Sequence, residues 1–276
     1  MRRLTLLLSL PTLFLAAAPS VRDMSLRTPD DYVLSGTLTV PEGRGNHPAV
    51  ILVHEFRSDR NAWAPLTEKL NARGIATLAL DLRGHGQSTQ QGGDAVAITA
   101  TYMTASETVG FDQIPADLSL VATWLRKQKG IDGRHLGLAG SSEGAFAALL
   151  ASNKIRPAVM LALSPLGAEA FGQGARDRMV AATTRAHAAL MAFVSAEDKE
   201  TEENLAPLRP IYGSNIHTVE GNQRGFEYLE QHSDVMAVFF AEYLLHPHTG
   251  RASEKPQQAA GSSSATVLTP KAPANP

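Results

Sequence analysis

Gly140-Ser141-Ser142-Glu143-Gly144 sets a serine between two glycines at a spacing that suits nucleophilic catalysis. A serine hydroxyl is a weak nucleophile at neutral pH. It needs an accessible position, a group to take its proton, and donors for the oxyanion it creates. A sharp strand-to-helix turn supplies the first. Flanking glycines let strand and helix approach closely and leave Ser142 Oγ above the sheet edge, where the helix N-terminus favours developing negative charge. The context fits this reading. His135 to Ala139 has the character of a strand, and Glu143 to Ser152 that of an alanine-rich helix. Ser141 falls at the variable position of the pattern and is not assigned the role.

Three further clusters follow strand-like runs. His54-Glu55-Phe56-Arg57-Ser58-Asp59-Arg60 comes after Ala49–Val53, and Asp81-Leu82-Arg83-Gly84-His85-Gly86-Gln87-Ser88 after Ile75–Leu80. Ala196-Glu197-Asp198 comes after Ala189–Ser195. With these in place the stretch from about Ala49 to Leu245 resembles the α/β-hydrolase superfamily, and most of all its small dienelactone-hydrolase-like and esterase-like bacterial members. The resemblance implies that the N–H groups of Phe56 and Glu143 hold an oxyanion. It implies that Asp198, with Glu197 beside it, is the carboxylate of a Ser…Asp…His series. It gives the Asp81–Ser88 loop a structural role, so His85 is not assigned to catalysis.

The departure comes at Val219-Glu220-Gly221-Asn222-Gln223-Arg224-Gly225-Phe226. The resemblance puts the base histidine where Arg224 stands. A guanidinium stays protonated, with a pKa above about 12, and has no lone pair to accept a proton. His217 falls in the last strand and His232 beyond the loop, while His54 and His85 lie on loops near the expected site. Glu143 or Glu55 could substitute in principle. An exposed carboxylate is a poor base for an alcohol, because its pKa of about 4 is far too low. Arg224 could also hold a ligand carboxylate or phosphate by a forked pair of hydrogen bonds.

The elements that must position these residues alternate between the two periods. Strands are expected at Tyr32–Val40, Ala49–Val53, Ile75–Leu80, His135–Ala139, Pro157–Leu163, Ala189–Ser195 and Asn215–Val219. Helices are expected at Asn61–Arg73, Phe111–Lys127, Glu143–Ser152 and Phe226–Leu245, the last with a break and new N-cap at Ser233. The fold class is therefore α/β: a mostly parallel central sheet with helices on both faces and no large cap domain. The connections Gln87–Gly110 and Pro165–His187 are too short to be separate domains.

Composition narrows the function. A net charge of −2, with scattered Lys and Arg, gives no footprint for nucleic acid or an anionic membrane. The absence of cysteine excludes disulfides, thiolate metal sites and a cysteine nucleophile. Dispersed histidines show no metal-ligand spacing, and no cofactor motif is present. Arg2-Arg3, the apolar run Leu4–Leu15 and Ala16-Ala17-Ala18-Pro19-Ser20 have the layout of a secretory signal peptide. The expected organisation is a leader at 1–20, a hydrolase domain at 21–245 and a disordered tail at 246–276. The product is then exported, without a stable membrane anchor. Two functions fit: a serine acyl hydrolase acting on a small-molecule ester, or a non-catalytic binding or scaffold protein on the same fold.

Overall fold

The computed structural model of the chain describes residues 18–98 and 101–246. β1 (Ser20–Arg27) and β2 (Tyr32–Val40) form an antiparallel hairpin. β2 alternates buried and half-buried residues, the period of a strand with one face toward the core. β3 (His47–Val53) is buried on both faces from Pro48 onward. A short 3-10 turn then leads into α1 (Ala64–Asn71). β4 (Ala76–Asp81), the two-residue strands β5 (Gln90–Gln91) and β6 (Asp94–Ala95), α2 (Tyr102–Val109) and α3 (Ile114–Leu125) complete the first half.

The second half runs β7 (Ile131–Ser141), α4 (Glu143–Ile155), β8 (Val159–Leu163), α5 (Ala175–Ala186) and β9 (Ala189–Ser195). It ends with α6 (Lys199–Leu205), α7 (Arg209–Tyr212), β10 (Ile216–Val219) and α8 (Glu227–Leu245).

The strands form one sheet in the order β10-β9-β8-β7-β3-β4-β2-β5-β6, with β1 on β2. From β10 to β4 every pairing is parallel; from β2 outward every pairing is antiparallel. Alternate residues of β3 serve opposite faces. Ala49, Ile51 and Val53 join a core under α3, α4 and α5. Val50 and Leu52 join a second core under α1 and α8. Strands covered on both sides are apolar along their whole length, and for that reason they read as continuous runs. Because the parallel strands all point one way, the residues after β3, β7, β9 and β10 gather at one edge.

Several expectations change. α8 is one continuous helix, and Ser233 is buried inside it and starts nothing new. Leu229, Met236, Phe240 and Leu244 keep a single buried face across the expected break. The helix expected from Asn61 becomes α-helical only at Ala64, after the 3-10 turn Arg60–Trp63. β1 leaves no strand signal in the sequence, since Met24 is its one buried residue. Residues 1–17 of the expected leader and 247–276 of the expected tail lie outside the described residues. No helix among the described residues is long and apolar enough to cross a membrane.

Candidate active site

Ser142 sits between β7 and α4 with φ 52° and ψ −122°. A residue with a side chain pays of order 1–3 kcal/mol for such backbone, which persists only when its surroundings enforce it. Here they do. The Ser142 N–H donates to Leu163 O at 2.8 Å, and its carbonyl accepts from Phe146 N at 3.0 Å and Leu166 N at 3.3 Å. The glycines are equally constrained. A Cβ on Gly140 would stand 2.4 Å from Ala145 Cα, and one on Gly144 2.2 Å from His54 O. The turn thus leaves Ser142 half-buried at the first turn of α4.

Phe56 and Glu143 occupy the two positions expected to offer N–H groups. The Phe56 ring makes edge contacts with Tyr102 and His85, at 5.3 and 5.7 Å between centroids, which fixes the loop after β3. Glu143 follows Ser142 directly and is 1 % exposed. Its buried Oε1 has no hydrogen-bond partner. Burial pushes this acid well above its ordinary value, and the nearby Glu55 charge adds to the rise.

Neither Glu55 nor Glu143 is the exposed carboxylate assumed from sequence. Glu55 lies under the elbow, where it accepts from Ser141 Oγ at 2.5 Å and from Phe226 N at 3.4 Å. Burial raises its pKa, and the bonds from Ser141 and Phe226 work against the rise. The loop carrying Arg224 is built around this carboxyl. A Cβ on Gly225 (φ 51°) would stand 2.0 Å from Glu55 Oε2. Gly225 N donates to Ser164 Oγ at 3.2 Å, Tyr228 OH to Gln223 O at 2.8 Å, and Arg224 N to Glu227 Oε2 at 2.7 Å. The Phe226 ring packs edge-on against Trp63, at 4.9 Å.

Asp198 is 2 % exposed, whereas its neighbour Glu197 is exposed. It caps α6, accepting from Thr201 N at 3.2 Å and Thr201 Oγ1 at 2.8 Å. Its remaining partner is Arg224, whose Nη2 lies 3.1 Å from Oδ1 and whose side chain is 57 % exposed. Ser142, Asp198 and Arg224 are thus at one sheet edge, with Arg224 seated on the acid.

The histidines are committed elsewhere. His54 Nδ1–H donates to Glu55 O at 2.8 Å and its Nε2 accepts from Leu82 N at 3.0 Å. Burial, with His85 nearby, pushes its pKa down to about 3 and keeps it neutral. His85 Nδ1–H donates to Arg83 O at 3.0 Å and Nε2 accepts from Arg57 N at 3.2 Å. His217 and His232 stack on Phe193, at 5.1 and 4.9 Å, in the core shared with α8. Among the described residues no group of His, Asp and Glu is arranged to hold a metal ion.

Two features escaped the sequence. One is the burial of Glu143 and half-burial of Glu55; the other is Tyr102 of α2, whose hydroxyl donates to Gly167 O at 3.1 Å and whose pKa is raised by burial and by Glu143. Tyr102 lies in a connection with no motif to mark it.

The sheet order and the strained serine turn are those of an α/β-hydrolase. A family model described as serine aminopeptidase, S33, matches residues 45–202, more than half of the chain, and the chain belongs to this hydrolase family. It is 34% identical over 109 residues to an uncharacterized 31.7 kDa protein of the traX-finO intergenic region of Escherichia coli, covering 39% of this chain and 33% of that one. It is 28% identical over 188 residues to the thiohydrolase aneE of Aspergillus aculeatus, covering 67% of this chain and 54% of that one. The chain therefore spans about a third and about half of the length of these relatives. The structure of a dienelactone hydrolase from Anabaena variabilis superposes with a TM-score of 0.59 at 17% identity, over 83% of this chain and 100% of that one. This likeness shows a shared fold.

Proposed function

We propose that the chain is an exported acyl hydrolase that cleaves small-molecule carboxylic esters or related acyl compounds through Ser142. The strained, half-exposed turn at φ 52° and ψ −122°, whose serine makes no capping hydrogen bond to α4, carries this reading. Ser142 Oγ attacks the acyl carbon. The N–H groups of Phe56 and Glu143, at the loop after β3 and the start of α4, hold the oxyanion. Relatives named as a thiohydrolase and a dienelactone hydrolase agree with acyl transfer to water. Asp198 takes the place of the orienting acid, but Arg224 stands where its histidine would be. A site lacking one member of its triad keeps a residual rate of roughly 10³–10⁴ over water from oxyanion stabilisation and binding. In this reading residues 1–20 are removed on export, 21–245 form the catalytic domain, and no cofactor, metal or nucleic acid takes part.

One observation favours a second reading, a binding protein on a hydrolase fold. Arg224 pairs with Asp198 at 3.1 Å and fills the seat of the base. Hydrolysis of p-nitrophenyl acetate by the wild type, Ser142→Ala and Arg224→His separates the two. Turnover lost in Ser142→Ala supports the enzyme. Equal background rates in wild type and Ser142→Ala, with a Ser142-dependent rate gained in Arg224→His, support the binding protein.

A further inference from the structure

Two buried histidines meet at the turn after β3, with ring centroids 5.0 Å apart: His54 from that loop itself and His85 from the loop after β4. We propose that His85 is a positioning residue for the oxyanion donor. Its Nε2 accepts the Arg57 N–H and so holds the Glu55–Ser58 turn in the shape that aims the Phe56 N–H at the substrate. The inference rests on Ser142 as nucleophile and the Phe56 N–H as donor, as proposed above.

The turn is closed by Ser58 N–H, which donates to Glu55 O at 3.1 Å. Arg57, its third residue, has φ 62°. That position usually calls for Gly or Asn, and a long side chain stays there only when its surroundings hold it. His85 supplies the hold: the Arg57 N–H donates to its Nε2 at 3.2 Å. The peptide before Phe56 is pinned at its other end. Glu55 O accepts from His54 Nδ1–H at 2.8 Å as well as from Ser58. In a planar trans peptide the C=O and N–H point opposite ways, so fixing Glu55 O directs the Phe56 N–H. Among the described residues that N–H has no acceptor. A donor of fixed direction and no partner suits an oxyanion, because nothing need reorganise at the moment of reaction.

The tautomer of His85 follows from its partners. A carbonyl only accepts and a backbone N–H only donates. Nδ1 faces Arg83 O at 3.0 Å and Nε2 faces the Arg57 N–H, so the proton sits on Nδ1 and the ring is neutral. A proton on Nε2 would set two donors against each other. Burial favours the neutral ring by pushing its pKa down, against the Arg83 carbonyl and Asp81. The ring is wedged between Phe56 and Phe111, at 5.7 and 5.9 Å between centroids. Its anchor is held too, since the Arg83 side chain is clamped to Asp117 and Asp30. A line of contacts therefore runs from α3 through Arg83 and His85 to the turn, and His85 itself touches no substrate. Once the Nε2 acceptor is removed, Arg57 can return to negative φ. The turn then opens, Glu55 O is released, and the Phe56 N–H loses its aim.

The test compares wild type, His85→Leu and His85→Gln as full chains, each shown by circular dichroism to be folded at the assay temperature. kcat and KM are measured for p-nitrophenyl acetate, with the rate of Ser142 labelling by a fluorophosphonate, read by intact mass, beside them. Leucine fills the space without an acceptor, whereas the glutamine amide oxygen can reach the place of Nε2. His85→Leu should lose about 10-fold or more in kcat and in labelling with KM retained, short of the roughly 10²–10³ for removing an oxyanion donor outright. His85→Gln should recover most of that loss. A His85→Leu as fast as wild type overturns the proposal, and so does a folded His85→Gln as slow as His85→Leu. Should His85→Leu not fold, the His85 ring of the wild type, read by ¹⁵N NMR at neutral pH, decides: a proton on Nδ1 supports the proposal and a proton on Nε2 overturns it. An inert wild type removes the hydrolase reading and this inference with it. A wild type that turns over through Ser142 beside an unimpaired His85→Leu removes this inference alone.

Discussion

Two regions of the molecule bury acids in opposite ways. Around Arg83, 2 % exposed, the charges are matched: its fork donates to Asp117 at 2.7 and 2.9 Å and to Asp30 at 3.0 Å, and the Tyr32 ring lies 4.8 Å from it. At the elbow, Glu55 and Glu143 face other carboxyls and neutral donors. A saturated ion pair fixes the Asp81–Ser88 loop against α3 and has nothing left to offer a ligand. An unneutralised acid in a dry place retains unused interaction energy, and such groups concentrate at sites of chemistry. The Asp81–Ser88 loop is therefore structural, while the serine motif holds a buried carboxyl whose Oε1 has no partner.

The contrast breaks most readily at Arg83. Arg83→Met leaves Asp117 buried without its partner and should lower stability by about 3–5 kcal/mol, measured by urea unfolding. Adding Asp117→Leu should restore most of the loss, and a double variant as weak as the single would undo the comparison. Next comes Gly144→Ala. Its Cβ meets His54 O at 2.2 Å, so the strand and helix at the elbow must part. Chemical denaturation should show a loss of at least about 1–3 kcal/mol, with Ser142 labelling impaired as well.

Glu143→Gln should have the opposite sign. The folded-state pKa of Glu143 lies above its ordinary 4.5, so the folded chain binds the proton more tightly than the unfolded one. That contribution is fully present below about pH 4.5 and is lost as pH rises through the folded value. The glutamine variant lacks this decline and should be more stable than wild type at alkaline pH. Melting temperatures across the pH range decide it; parallel curves for the two proteins would mean that the acid is not perturbed. The smallest effect belongs to Arg224→Ala. A pair with a half-exposed guanidinium contributes little, and thermal unfolding should register a change of at most about 1 kcal/mol.

How far the sequence reveals this depends on what each feature requires of distant parts of the chain. β3, β4, β7, β8 and β9 are legible because burial on both faces leaves unbroken apolar runs. Ser142, Asp198 and Arg224 could be found because each follows a strand end, and parallel strands bring their ends to one edge. β1 leaves almost no trace, because pairing with β2 along an outer edge asks little of its side chains. The continuity of α8 through Ser233 depends on a small polar residue fitting against the sheet, which helical periodicity does not report. The state of Glu55 and Glu143 is the hardest to see. For Glu55 it is set when the loop around Gly225 packs against its carboxyl from far away in the chain, and no local pattern reports that contact.

The Trp63–Phe226 contact has a practical consequence. The chain has two tryptophans, and Trp63 is fully buried with its indole N–H unpartnered, which favours short-wavelength emission. Phe226, edge-on to it at 4.9 Å, is two residues from Arg224 and anchored to Glu55. The protein thus carries a native fluorophore against the loop that holds Arg224, while half-buried Trp124 on α3 provides a second, separate emission as reference. Displacement of that loop by a ligand can be followed optically, in unlabelled protein and without any turnover.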